Sequence, residues 1–183
     1  MPITKNTSEA VATFTIQGIP YLAFANAHRK NEVRKWNGDG FTDISDNIPN
    51  SIYTDKQGTT GFTNTKGVTT FNIGGTTYLA FANSSQKNEV RKWNGDGFTD
   101  ISDNIPHSTY DYYSNSVSSD AYGVTSFEID GETYLAFANM GGGSLQAQPN
   151  EVRKWNGDGF TDISTTIPST KNNSYGVTSV EIG

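Results

Sequence analysis

The sequence predicts an all-β protein: a β-propeller of four-stranded antiparallel blades, three blades per chain plus one surplus strand. Three observations predict it: long segments that recur unchanged, hairpin signals inside every copy, and a composition rich in rings and glycine. Tyr21–Asn26, read as Tyr-Leu-Ala-Phe-Ala-Asn, returns at Tyr78–Asn83 and Tyr134–Asn139. The fifteen residues Asn31–Ser45 return unchanged at Asn88–Ser102 and Asn150–Ser164. A period of roughly 57 residues marks a solenoid, propeller or array. Apolar residues are only 33% of the chain while aromatics reach 12% and glycines number 19. Such a core is dispersed, with large rings filling small spaces between many turns.

Each unit reads as four strands in order. The first is Val11–Ile16, matched by Gly67–Ile73, Gly123–Ile129 and Gly176–Ile182, with the β-branched and aromatic content of a pleated surface. Gly74-Gly75 and Asp130-Gly131 turn it into the second strand, Tyr21–Asn26 in the first unit. That strand is apolar on both faces, Tyr21, Ala23 and Ala25 on one and Leu22 and Phe24 on the other, so it must be covered on both sides. The third strand runs Glu32–Trp36. Asn37-Gly38 or the overlapping Asp39-Gly40 then turns the chain into the fourth, Phe41–Ser45, because both pairs tolerate positive φ. Ile48-Pro49, Ile105-Pro106 and Ile167-Pro168 close each unit, since proline cannot continue a ladder.

The whole chain, 1–183, is read as a single propeller domain with units at about 11–66, 67–122 and 123–175 and the surplus strand at 176–182. Asn50–Lys66 and His107–Tyr122 are the expected connections between blades. Closed propellers hold about four to eight blades, so three leave two bare sheet faces that something must cover. Two chains closing into six blades is the expected arrangement. Head-to-tail addition that fails to close gives a filament instead.

Ser126–Asn139, followed by Asn150-Glu-Val-Arg-Lys-Trp-Asn-Gly157 and Ile167-Pro168, resembles the EAR repeat, also called the EPTP or epitempin repeat. The likeness covers all three units. It implies a propeller, usually seven-bladed, acting as an extracellular protein-binding or adhesion module without catalysis. Three units instead of seven is the departure from that pattern.

A net charge of −6 and a pI near 4.8 argue against nucleic acid, whose backbone is held by clustered Lys and Arg. The absence of cysteine removes disulfides, thiolate nucleophiles and zinc sites of the Cys type. No run long enough to insert in a membrane and no signal peptide is visible, so an extracellular or cell-surface setting rests on the resemblance alone. Asn6-Thr7-Ser8, Asn83-Ser84-Ser85 and Asn172-Asn173-Ser174 match the N-glycosylation pattern, which chance supplies in a chain this rich in Asn, Ser and Thr.

Asn37–Asp43, Asn94–Asp100 and Asn156–Asp162 place oxygens at spacings similar to an FG-GAP calcium loop. Lys35, Lys92 and Lys154 stand where that loop has its first Asp, so a cation opposes calcium there and the hairpin-turn reading is favoured. No other cofactor is expected. Arg34, Trp36 and Asp39, with Arg91, Trp93, Asp96 and Arg153, Trp155, Asp158, supply one flat ring, one fork donor and one carboxylate per blade. These parts suit a multivalent lectin, the ring stacking on a sugar face while Arg and Asp bind hydroxyls. The competing reading puts Trp between blades as packing.

His28 and His107 occupy different places in their units, and no nucleophile elbow or phosphate-cradling lysine loop occurs, so no catalytic set assembles. Gly141-Gly142-Gly143 is expected as a flexible loop, and Tyr110-Asp111-Tyr112-Tyr113 as the stretch most like an interface. A non-catalytic recognition or adhesion module, binding protein or glycan through blade loops and closing as a homodimer, is therefore the leading expectation. A self-assembling structural or designed repeat protein, whose main partner is itself, is the alternative.

Overall fold

The computed structural model describes residues 8–27, 29–45, 52–54, 60–62, 64–102, 110–111, 116–117, 119–139, 150–166 and 174–179. The first blade is β1 (Ser8–Ile16), β2 (Ile19–Asn26), β3 (Glu32–Trp36) and β4 (Phe41–Asp43), hydrogen-bonded in that order. A hairpin of β5 (Ile52–Thr54) and β6 (Thr60–Phe62) follows. The second blade is β7 (Asn64–Ile73), β8 (Thr76–Gln86), β9 (Glu89–Trp93) and β10 (Phe98–Asp100). A short pair, β11 (Tyr110–Asp111) and β12 (Ser116–Val117), leads to the third blade. That blade is β13 (Ser119–Ile129), β14 (Glu132–Asn139), β15 (Glu151–Trp155) and β16 (Phe160–Asp162). All pairings are antiparallel, as the propeller reading requires.

Three expectations need correction. The fourth strand stops at Asp43 instead of Ser45, because the Ser45 N–H donates to Asp43 Oδ1 at 2.8 Å and turns the chain. The segments read as plain connections contain strands, since β7 and β13 begin before Gly67 and Gly123 and the two small hairpins lie in front of them. The early part of β13 also pairs with the end of β8, Ser119 opposite Gln86 and Asp120 opposite Ser84, which stitches the second and third blades into one sheet path. Thirdly, residues 174–179 form no ladder, against the reading of a surplus strand. They nonetheless lie along β13, with the Ser179 hydroxyl donating to the Ser126 carbonyl at 3.3 Å. The proline pairs, the triple glycine, both histidines, Tyr112-Tyr113 and residues 180–182 fall outside the described residues.

The strand-one turns adopt positive φ at both central residues, for example Gln17 at 52° and Gly18 at 78°, the type I′ geometry that matches strand twist. Cross-strand partners share a face, so each blade has two distinct ones. On one face of the first blade stand Phe14, Tyr21, Ala23 and Val33. They pack against Leu79, Phe81, Trp93 and Phe98 of the second blade. The same joint recurs one blade on, where Phe71, Tyr78, Ala80 and Val90 meet Leu135, Phe137, Trp155 and Phe160. Ring geometry repeats as well: Phe14 meets Phe98 edge-on at 6.1 Å and Tyr21 meets Trp93 at 5.9 Å. Phe71 meets Phe160 at 5.9 Å and Tyr78 meets Trp155 at 5.8 Å.

Near the axis the first strands crowd one another. A Cβ on Gly67 would lie 3.2 Å from the Gly123 Cα and the Val124 nitrogen, and a Cβ on Gly123 would lie 3.1 Å from the Gly176 Cα. Backbone cannot yield as a side-chain tip can. Gly67→Ala is therefore expected to destabilise the fold by about 1–3 kcal/mol in denaturant titration. An unchanged midpoint would contradict this close approach.

Candidate functional site

The recurring Asn-Gly-Asp-Gly segments form the turns between third and fourth strands. In the first blade the Asn37 side-chain oxygen accepts the N–H groups of Asp39 at 3.1 Å and Gly40 at 2.8 Å. The Asn37 Nδ2 donates to Thr42 Oγ1 at 2.9 Å, and Gly38 takes a φ of 101°. The other two blades repeat every one of these bonds. The asparagine oxygen that a calcium loop would offer is thus spent on capping the turn. Among the described residues no group of three or more His, Cys, Asp or Glu side chains gathers.

The nine residues expected to bind a ligand do not come together as three triads. Arg34 is clamped by Glu32, its Nη2 and Nε donating to Oε2 at 2.6 and 3.1 Å. Arg153 holds Glu151 in the same way at 2.7 and 3.1 Å, and Arg91 pairs with Glu89. Arg91 and Arg153 are each 1% exposed and sit inside the blade joints, where a sugar cannot reach them. Burying both partners together keeps the charges compensated. Trp93 and Trp155 are spent on the joints described above. Asp39, Asp96 and Asp158 stand exposed at the turn tips.

Trp36 differs from its two copies. All three indoles meet the Phe of their own fourth strand, Trp36 with Phe41 at 5.2 Å. Among the described residues, however, no tyrosine of a preceding blade stands against Trp36, and it lines a cleft of about 540 Å³ at the end of the first blade. Gly18 of the β1–β2 turn and Ile19 and Pro20 at the start of β2 line that cleft, opposite Lys35, Asn37, Gly38 and Thr42 of the β3–β4 hairpin and Ile44 just beyond it. An indole flanked by Ile19 and Pro20 is an apolar platform, and Lys35, Asn37 and Thr42 bring polar groups to its margin. The third blade has Glu132 and Thr133 in place of Ile19 and Pro20, and there Lys154 lies 3.9 Å from Glu132. The wall beside the indole therefore differs between these blades.

No family model matches the sequence, and no curated protein matches it. The fold is similar to the solved structure of a fucose lectin from Kordia zhangzhouensis in complex with methyl-fucoside. The TM-score is 0.50 at 12% sequence identity, over 84% of this chain and 96% of that chain. The likeness is one of fold. No described helix is long and apolar enough to cross a membrane.

Sequence reasoning missed the polar residues that hold each blade together. Asn26 donates its N–H to Asn31 Oδ1 at 3.0 Å and its Nδ2 to the Lys30 carbonyl at 2.8 Å, latching the β2–β3 loop. Asn83 and Asn88 repeat the latch, and Asn139 and Asn150 keep its first bond at 2.9 Å across a loop longer by several residues. Asn83 is fully buried, which removes it as a glycosylation acceptor. The signal was the fixed Asn on either side of a variable loop. Glu-x-Arg on a strand was equally legible, because residues two apart share a face.

Burial acts to raise the Asp43 carboxyl, but hydrogen bonds from the Ser45 hydroxyl and N–H and the charges of Arg34 and Lys30 outweigh it, holding Asp43 below its ordinary value of 3.8. Folding thus favours ionised Asp43. Its contribution is present above pH 3.8 and is lost as pH falls through the lower native value. Thermal melts should show the midpoint dropping over that acid window, and Ser45→Ala should flatten the drop. A midpoint that holds down to about pH 2 in the parent protein would contradict the assignment.

Proposed function

We propose that this protein is a non-catalytic recognition module outside the cell that binds glycans at the free end of its first blade and also self-associates as a homodimer, the two competing for that end. The observation that carries the glycan reading is the cleft beside Trp36, which offers an apolar ring face bordered by hydroxyl, amide and ammonium groups. A pyranose presents the complementary surface, with one C–H face to stack and hydroxyls at the rim. The fold likeness to a fucose lectin supports the same reading.

Glycan-array screening followed by calorimetry on the best monosaccharide tests the reading. Binding is expected in the weak range usual for single sugars, and Trp36→Ala should reduce it at least about tenfold, the loss of roughly 1.4 kcal/mol. Lys35→Ala should reduce it less. An array without a positive, or a Trp36→Ala protein that binds as the parent does, would overturn the site. A protein ligand, which the resemblance to EAR repeats implies, is then the reading to pursue.

A further inference from the structure

Identical residues are buried to different degrees in the three blades, and the differences fall on two faces. Leu79 and Phe81 of the second blade and Leu135 of the third are 0% exposed, yet Leu22 and Phe24 of the first blade, in the same positions, are only half-buried. Trp36 and Phe41 lie on that same face. At the other end, Tyr21 and Tyr78 are each 3% exposed while Tyr134 is half-buried, and so is Phe127, stacked on it at 5.3 Å. Val11 at 55% and Ile129 at 50% are exposed large apolar residues, one on each of these faces.

The two faces are the two halves of one joint. In both joints within the chain, a Phe/Tyr face of one blade receives the Leu/Phe/Trp face of the next. The third blade ends on an unmatched Phe127/Tyr134 face, and the first begins on an unmatched Leu22/Phe24/Trp36 face. Even the Arg34–Glu32 pair is ready, since its counterparts are sealed inside the internal joints.

One element stands in the way. Residues 174–179 hold the seat that the first strand of a following blade would take. Between the second and third blades, Thr69 Oγ1 lies 3.4 Å from Ser126 Oγ, and Ser126 Oγ donates to the Thr70 carbonyl at 3.1 Å. Between the third blade and the tail, Thr125 Oγ1 lies 3.4 Å from Ser179 Oγ, and Ser179 Oγ donates to the Ser126 carbonyl at 3.3 Å. The ring of Tyr175 meets Tyr122 at 5.5 Å, continuing a row in which Lys66 lies over Tyr122 and pairs with Glu9 at 2.9 Å.

Resting on the homodimer reading above, we infer that the first blade of a second copy docks onto the Phe127/Tyr134 face and displaces residues 174–179 from β13. Displacement, and not exchange of the tail for β1, is favoured because β1 carries Phe14, which stacks on its own Tyr21 at 5.2 Å. By this arrangement Glu9 of the incoming blade takes the place of Tyr175 beside Tyr122. Two such joints related by a two-fold axis close three blades and three blades into one ring.

Light scattering across a concentration series tests the interface, using the full chain, a form ending at residue 173, and the variants Phe24→Asp and Tyr134→Glu. The full chain should reach a mass of two chains, and the shortened form should dimerise with a Kd at least about tenfold lower. Each variant alone should stay monomeric. An equimolar mixture of the two should regain a two-chain mass, because one intact joint remains between them, and this also shows that both fold. Weaker dimerisation on shortening, or no change, would overturn displacement while leaving the dimer. Full and shortened chains that are both monomeric throughout would overturn the homodimer itself, and variants that dimerise as the parent does would overturn the faces.

Discussion

The structure depends on one repeated contact, the joint in which a Tyr and a Phe from one blade meet a Trp and a Phe from the next. A four-stranded sheet has no interior of its own, so a blade becomes stable only when its two-sided second strand is covered on both faces. Edge-to-face rings suit that task in a chain with few aliphatic residues, since each buries a large area and adds a favourable quadrupole geometry. Alanines at Ala23, Ala80 and Ala136 leave room for those rings. Gly67 and Gly123 do the corresponding work near the axis, letting first strands approach where a Cβ would intrude.

Polar residues are subordinate to that joint but make it specific. The Glu–Arg pairs sit two apart on the third strand and neutralise one another, so a guanidinium can be buried against apolar neighbours. The paired asparagines tie off the loop between second and third strands. Because the bond needs only the two loop ends, the third blade accepts an insertion there without losing its register. At the blade ends turn geometry is fixed while the flanking residues differ, Ile19 and Pro20 in the first blade against Glu132 and Thr133 in the third.

Much of this was legible in the sequence. The YLAFAN segments, alternating strictly in face, announced strands covered on both sides, and the Asn-Gly and Asp-Gly pairs placed the hairpins. The fate of Arg34, Arg91 and Arg153 was harder, because a fork donor beside a tryptophan suits a ligand site and a buried ion pair equally. Glu at the preceding same-face position was the deciding residue. The small hairpins before β7 and β13 escaped notice since their segments do not repeat, and a two- or three-residue strand leaves no periodic trace. Nor could repetition alone distinguish Trp36 from Trp93 and Trp155. Their sequences are identical, and only the presence or absence of a preceding blade separates them.

The Tyr/Trp joint couples one blade to the next. A double-mutant cycle on Tyr21 and Trp93, each changed to Leu and followed by denaturant unfolding, measures that coupling directly. A coupling free energy of about 0.5–1.5 kcal/mol is expected. Additive effects of the two substitutions would contradict it.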